Sequence, residues 1–268
     1  MADTAPSGTH GVLATYPARA GTLRAAVAGI APQLDRLTLV LNDYDSVPDW
    51  VGGNVDAVIP QADSKDTGKY LVPAPDAWLF TLDDDILYPP DYVARSLAGM
   101  TQAAARLGTW RLMGGYLGWT YRRARLLPWR WARRLIGYNP DYIANSADAV
   151  DFRDGLAQAR IVEGLGTGVS VMRGSDAPPF AGVADAQRFI DVRLASWCFA
   201  QGIVQVCLPR PAGWLRDAHA GAQDESIFEN FTLRPPAHVA DEIWRIAFRN
   251  PRRGETLDFG FDDMAAAA

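Results

Sequence analysis

The chain has 268 residues, 49% of them hydrophobic and 21% charged, with a formal net charge of −5. That length and apolar content suffice for a well-packed α/β domain. The acidic balance argues against a nucleic-acid binder that works through phosphate contacts. The two cysteines, Cys198 and Cys207, show no metal-ligand spacing and read as buried thiols of a reducing compartment. No apolar run approaches the roughly 20 residues of a membrane span, and Met1 to His10 carries neither the basic nor the apolar part of a signal peptide. The expectation is a cytoplasmic protein, with residues 1–10 a disordered start.

Residues Gly11 to Thr15 form an apolar run suited to a buried strand. A helix follows from about Arg19 to Ala31, with Leu23, Val27 and Ile30 on one face. Leu37 to Leu41 and Val55 to Ile59 read as the second and third strands. Ala77 to Leu82 is the fourth, and it runs directly into Asp83-Asp84-Asp85. Pro89-Pro90 then opens a helix through about Leu107, since proline is tolerated in a first helical turn.

The later elements are less regular. Arg111 to Leu117 and Arg160 to Glu163 read as strands, and Gly164 to Gly168 as a glycine turn. A helix from about Ala186 to Gln201 leads into a strand at Ile203 to Leu208. Strands alternating with helices predict a mostly parallel sheet flanked by helices. No internal repeat or long linker appears, so a single domain over 11–263 is expected, with a nucleotide half at 11–110 and an acceptor half at 111–263. Residues 264–268 read as a frayed tail.

Open α/β sheets bind ligands beyond the carboxyl ends of their strands, which is where Asp83, Asp84 and Asp85 fall. Three adjacent carboxylates repel one another unless something positive compensates. A hard divalent cation accepts oxygen ligands and bridges to phosphate. The competing reading is a solvated loop that caps the following helix, but the triplet is enclosed by AWLFTL and Ile86-Leu87-Tyr88.

The segment Asp66-Thr67-Gly68-Lys69-Tyr70, followed by TLDDDILYPPDY at 81–92, resembles bacterial glycosyltransferases of the GT-A fold, near the large family 2. Ala14-Thr15-Tyr16-Pro17-Ala18-Arg19 and LVLNDYDSVPDW at 39–50 are similar too, in the same order. The resemblance spans about residues 11–218. It implies a single GT-A, Rossmann-like domain whose first two strand ends hold a nucleotide.

By that resemblance Thr15, Tyr16 and Arg19 line the base and ribose, Asp43 accepts a hydrogen bond from the base, and Asn42 belongs to the same nucleotide-sugar site. A turn residue is the alternative for Asp43. Lys69 approaches the diphosphate as a point charge, or else is an ordinary surface lysine. Asp83 faces the ribose or a metal-bound water, Asp84 shares the donor site, and Asp85 binds Mn²⁺ or Mg²⁺ directly. The loop Gly166-Thr167-Gly168 allows close approach of donor and acceptor sugars, or is a plain turn.

Asp191 occupies the place of the family's acidic base, although Ile190 precedes it where a second acidic residue is common. The alternative is an aspartate that only favours the start of its helix. His219 matches the late histidine that completes the metal site, with an exposed loop histidine as the competing reading.

The Arg- and Trp-rich stretch Trp119 to Leu135 leaves three readings open: a solvated face, an anionic-glycan contact, or a peripheral contact with the inner face of a membrane. The implied activity is metal-dependent, inverting transfer of a sugar, first expected as UDP-linked, to a glycan or lipid-linked acceptor. Two alternatives stand beside it. One is a nucleotidyltransferase, which usually shows a glycine-rich basic loop where this chain reads TYPARAGTLRAA. The other is a non-catalytic nucleotide- or sugar-binding protein of the same fold.

Overall fold

The computed structural model describes residues 4–121, 147–218 and 236–265. Strand β1 (Gly8–Thr15) leads through a 3-10 turn into helix α1 (Ala20–Ile30). Strands β2 (Arg36–Leu41), β3 (Val55–Val58) and β4 (Ala77–Leu82) follow. After the acidic loop comes the short β5 (Ile86–Leu87), then helix α2 (Tyr92–Leu107), which stops on Gly108 in the left-handed conformation. The middle of the chain holds β6 (Leu112–Gly115), β7 (Gly118–Tyr121), β8 (Ala147–Val150), β9 (Gln158–Ile161), β10 (Gly164–Leu165) and β11 (Val169–Arg173). Helix α3 (Ile190–Gln201), β12 (Val204–Cys207), β13 (Arg216–Asp217), helix α4 (Ala237–Ile246), β14 (Thr256–Gly260) and a helical turn at Phe261–Ala265 complete the described elements.

A nine-stranded sheet organises them, in the order β14-β9-β12-β6-β11-β4-β1-β2-β3. Strands β1 to β4 are mutually parallel, and β6 is parallel to β12. Strand β11 runs antiparallel between β4 and β6, and β9 antiparallel between β12 and β14. All strands but β11 and β9 therefore point the same way, as the predicted mostly parallel sheet requires.

Alternate side chains feed two cores. Leu13, Leu39, Phe80 and Val171 pack on one face with Leu23 and Ile30 of α1 and Met100 of α2. Val12, Val40, Leu79 and Met172 pack on the other with Leu194 and Cys198 of α3 and Ile243 of α4. Because both faces are covered, LTLVL reads as a continuous apolar run rather than an alternating one. Each such buried side chain contributes about 1.5–3 kcal/mol.

Four sequence expectations are corrected. The first strand starts at Gly8, within the segment read as a disordered start. There His10 is buried and shares a 2.8 Å hydrogen bond with Thr38 Oγ1, and Thr9 bonds Asp35. The tail is not simply frayed, because Met264 is fully buried and its methyl lies near Gly99. The helix expected from Ala186 begins only at Ile190, since Gly182 to Phe189 forms successive turns with Arg188 at φ 72°. Strands β11 and β14 fall where no strand was expected. Among the described residues no helix is long and apolar enough to cross a membrane.

Candidate functional site

The chain builds β1, β2 and β3 outward in one direction, then returns to add β4 on the opposite side of β1. The strand order thus reverses between β1 and β4, and in such sheets ligands usually lie beyond the carboxyl ends of the strands at that point. Thr15 ends β1, and Asp83 to Asp85 follow β4 directly. The register of β11 sets Val169 opposite Leu82, which brings Gly168 level with Asp83. A Cβ on Gly168 would lie 1.8 Å from Asp83 Oδ2. Any side chain at 168 would press on Asp83, so the group that closely approaches this glycine is the carboxylate of Asp83. Gly166 is similarly confined, since its Cβ would sit 2.6 Å from Leu117 Cδ2.

Each aspartate of the triplet has its own partner. Asp83 is ion-paired with Lys69, its side chain 40% exposed against 4% for the lysine. Asp84 is buried and accepts a 2.6 Å hydrogen bond from Thr15 Oγ1. Burial pushes the Asp84 carboxyl up to about 6, opposed by the Thr15 bond and reinforced by the neighbouring Asp83 and Asp85. Asp85 pairs with Arg19 Nη1 at 3.0 Å, and its backbone carbonyl accepts the N–H of Ala218 at 2.7 Å. Burial and Asp83 raise the Asp85 pKa while Arg19 lowers it.

Lys69 is an internal cation rather than a surface lysine. It projects from the 3-10 helix Lys65–Tyr70, and its ammonium also donates to both the carbonyl and the hydroxyl of Thr167 at 3.3 Å. Burial opposes its charge, but Asp83, Asp191 and Asp66 outweigh that effect and hold its pKa above the ordinary lysine value. Thr167 carries the connection further, because its N–H donates to Asp191 Oδ1 at 2.9 Å. Asp191 stands in the first turn of α3. Burial raises its pKa from the ordinary aspartate value, with Lys69 and the Thr167 bonds acting the other way. The acidic loop, Lys69, the glycine loop and Asp191 are therefore one connected constellation.

On the nucleotide side the expected residues divide. Tyr16 is 44% exposed, and its hydroxyl accepts from Arg19 Nε at 3.2 Å. Asp43 is exposed with φ 57°, a left-handed backbone that aspartate tolerates better than most residues. Thr15 is buried, and its hydroxyl is committed to Asp84. Asn42 is likewise buried and committed: its carbonyl accepts from the Ser64 N–H and hydroxyl, and its amide donates to the Lys65 carbonyl. Thr15 and Asn42 thus spend their polar groups inside the protein, whereas Tyr16 and Asp43 are exposed.

Two supporting residues lay within quoted motifs without an assigned role. The Tyr88 hydroxyl accepts the Asp83 N–H at 2.8 Å and donates to the Gly168 carbonyl at 2.7 Å, closing the loop-to-loop contact. Both carboxylate oxygens of Asp66 accept the N–H of Arg188, fixing the left-handed turn ahead of α3. The signal for both was their place in the DTGKY and DDDILYPPDY segments, but a buried bridging hydroxyl cannot be told from a core tyrosine by sequence.

His219 and residues 122–135 of the Arg- and Trp-rich stretch lie outside the described residues. Among the described residues no group of three or more His, Cys, Asp or Glu side chains is placed to hold a metal ion, and His219 of the expected Asp83, Asp85 and His219 set lies outside them. Asp83 and Asp85 are half-exposed carboxylates, each met by a basic side chain, and oxygen donors of this kind suit magnesium or manganese when phosphate and water complete the shell. A groove of about 480 Å³ lined by Leu156, Arg210 and Phe261 includes none of these residues. The chain matches no protein-family model and no curated protein.

Proposed function

We propose that this chain is a nucleotide-sugar-dependent glycosyltransferase of GT-A type that acts with inversion. The observation that carries this reading is the Asp83–Lys69–Thr167–Asp191 chain of contacts at the sheet's switch point. Through the Thr167 N–H it ties a half-buried carboxylate of raised pKa, Asp191 at the start of α3, to the loop that packs against the acidic turn. A positioned carboxylate whose pKa has moved toward neutrality suits general-base work.

In the proposed reaction the nucleobase and ribose rest against Tyr16 and Asp43, and the diphosphate lies toward Asp83 and Asp85. The oxygen of an acceptor hydroxyl attacks the anomeric carbon, and the bond from that carbon to the diphosphate oxygen breaks. Asp191 takes the hydroxyl proton. Thr167 orients Asp191 through its N–H, and Lys69 keeps the base and the acidic loop at fixed separation. Asp83 and Asp85 would hold the divalent ion, which when bound neutralises charge on the departing diphosphate.

The test is a thermal-shift panel of UDP, GDP, CDP and ADP and their sugars, each with Mn²⁺ or EDTA, on wild type and Asp191→Asn. One nucleotide should raise the melting temperature of both proteins. Release of nucleoside diphosphate in the presence of acceptor should fall by about 10²–10⁴-fold in Asp191→Asn. A shift with no nucleotide at all would remove the transferase reading. A fully active Asp191→Asn would move the base elsewhere.

A further inference from the structure

We propose that the two cations facing the acidic loop have different tasks: Lys69 is a permanent counterion of Asp83, and Arg19 is a placeholder that occupies Asp85 until a divalent cation and a nucleoside diphosphate arrive together. This rests on the donor-site reading above, but it assigns Arg19 to the phosphate side rather than to base and ribose.

The difference lies in how each side chain is held. The Lys69 side chain is 4% exposed and is anchored on Asp83 and on two oxygens of Thr167. Moving it would strand an ammonium inside the protein and leave Asp83 facing Asp191 and Asp66 uncompensated. Arg19 sits at the start of α1, with its side chain 17% exposed and its Nε on the hydroxyl of the exposed Tyr16. The Asp85 side chain it neutralises is 37% exposed. A partly exposed guanidinium beside an exposed tyrosine changes partners at a lower desolvation cost than an almost fully enclosed ammonium.

Charge supplies the reason for an exchange. Among the described residues, Asp66, Asp83, Asp84, Asp85 and Asp191 gather at this site, and Lys69 and Arg19 are the cations that contact the acidic loop. A diphosphate entering alone meets the excess of carboxylates among these residues. A metal ion entering alone finds Asp85 already paired. When both enter, the ion takes Asp85, and the freed guanidinium finds phosphate oxygens, its best partner after carboxylate. Arg19 therefore makes metal binding depend on the nucleotide.

The experiment is a Mn²⁺ titration of the full chain, reading the free-ion electron paramagnetic resonance signal with and without UDP, GDP, CDP or ADP. It is run on wild type, Arg19→Gln, Arg19→Lys and Asp85→Asn, with melting curves to confirm that each is folded. Without nucleotide, Arg19→Gln should bind Mn²⁺ roughly threefold or more tightly than wild type, the scale expected on removing one competing surface ion pair. Arg19→Lys should stay close to wild type, and Asp85→Asn should bind weakly throughout. In wild type, the matching nucleotide should tighten Mn²⁺, and in Arg19→Gln that tightening should shrink. Equal or weaker Mn²⁺ binding by a folded Arg19→Gln overturns the placeholder role. So does a nucleotide melting shift that is the same in EDTA and Mn²⁺, which leaves the transferase reading standing. A chain that responds to none of the nucleotides overturns both.

Discussion

The half expected to hold the nucleotide, 11–110, and the half expected to hold the acceptor, 111–263, assemble their parts of the candidate site by different means. In the first, three parallel strands and β4 lie side by side, and the site residues follow directly from strand ends: Thr15 from β1, Asn42 from β2, Asp83 from β4. In the second, β11 is inserted backwards between β4 and β6, and Thr167 and Asp191 reach the site from a glycine loop and a helix start. Position in the first half is set by backbone ladders. Position in the second is set by side-chain contacts across the loop, with Lys69 as the piece shared by both. The acceptor half should therefore lose its geometry first when a single side chain is changed.

Removing Lys69 is the severest way to break the link. Lys69→Met should destabilise the protein by roughly 2–3 kcal/mol, less than the loss of a fully buried pair because Asp83 is half-exposed. Denaturant unfolding measures this, and a loss within 0.5 kcal/mol, the range of an ordinary surface substitution, would mean that the lysine is not the joint between the halves.

Gly168→Ala tests the contact from the other side. Its new methyl would press on a carboxylate pinned by Lys69, and a cost of about 1–3 kcal/mol is expected from overpacking. Because the methyl also displaces Asp83, nucleotide-dependent melting shifts should fall in this variant. A Gly168→Ala protein with wild-type stability and wild-type shifts would show that the loop yields easily.

The smallest effect belongs to the nucleotide half, far from the joint. Burial, with Arg36 adding to it, lowers the His10 pKa below its ordinary 6.5. A depressed histidine contributes stability above that pH and loses it as pH falls through the folded value. The stability advantage of wild type over His10→Gln, which keeps a hydrogen-bonding group near Thr38 without titrating, should therefore shrink between pH 7 and pH 5. The Asp84 carboxyl, raised to about 6, adds stability as pH falls over the same range in both proteins and cancels in the difference. Parallel pH profiles of melting temperature for the two proteins decide it.

How much of this was legible follows from the range of the interactions involved. The strand β4 was readable to the residue because AWLFTL stops abruptly at charge, and LTLVL announced a strand buried on both faces. The acidic triplet and Asp191 stood out through residue type in a recognised order. The start of α3 was misread because its apolar residues continue back to Ala186, while Asp66 holds Arg188 in a left-handed turn from 122 residues away in sequence. Strand β11 was hidden because VSVMR is too short to distinguish itself from the turn before it.

The sequence by itself determined which segments are apolar enough to form a sheet covered on both faces, and which carboxylates interrupt it, since both depend on local composition and period. Only the tertiary structure decided what each carboxylate meets. Asp83 finds Lys69 and Gly168, Asp84 finds Thr15, Asp85 finds Arg19, and Asp191 finds the N–H of Thr167. Those partners come from other strands and loops, and they converge only once β11 is paired in register against β4. Charge compensation acts through space over a few ångströms, and residue order along the chain does not encode that distance.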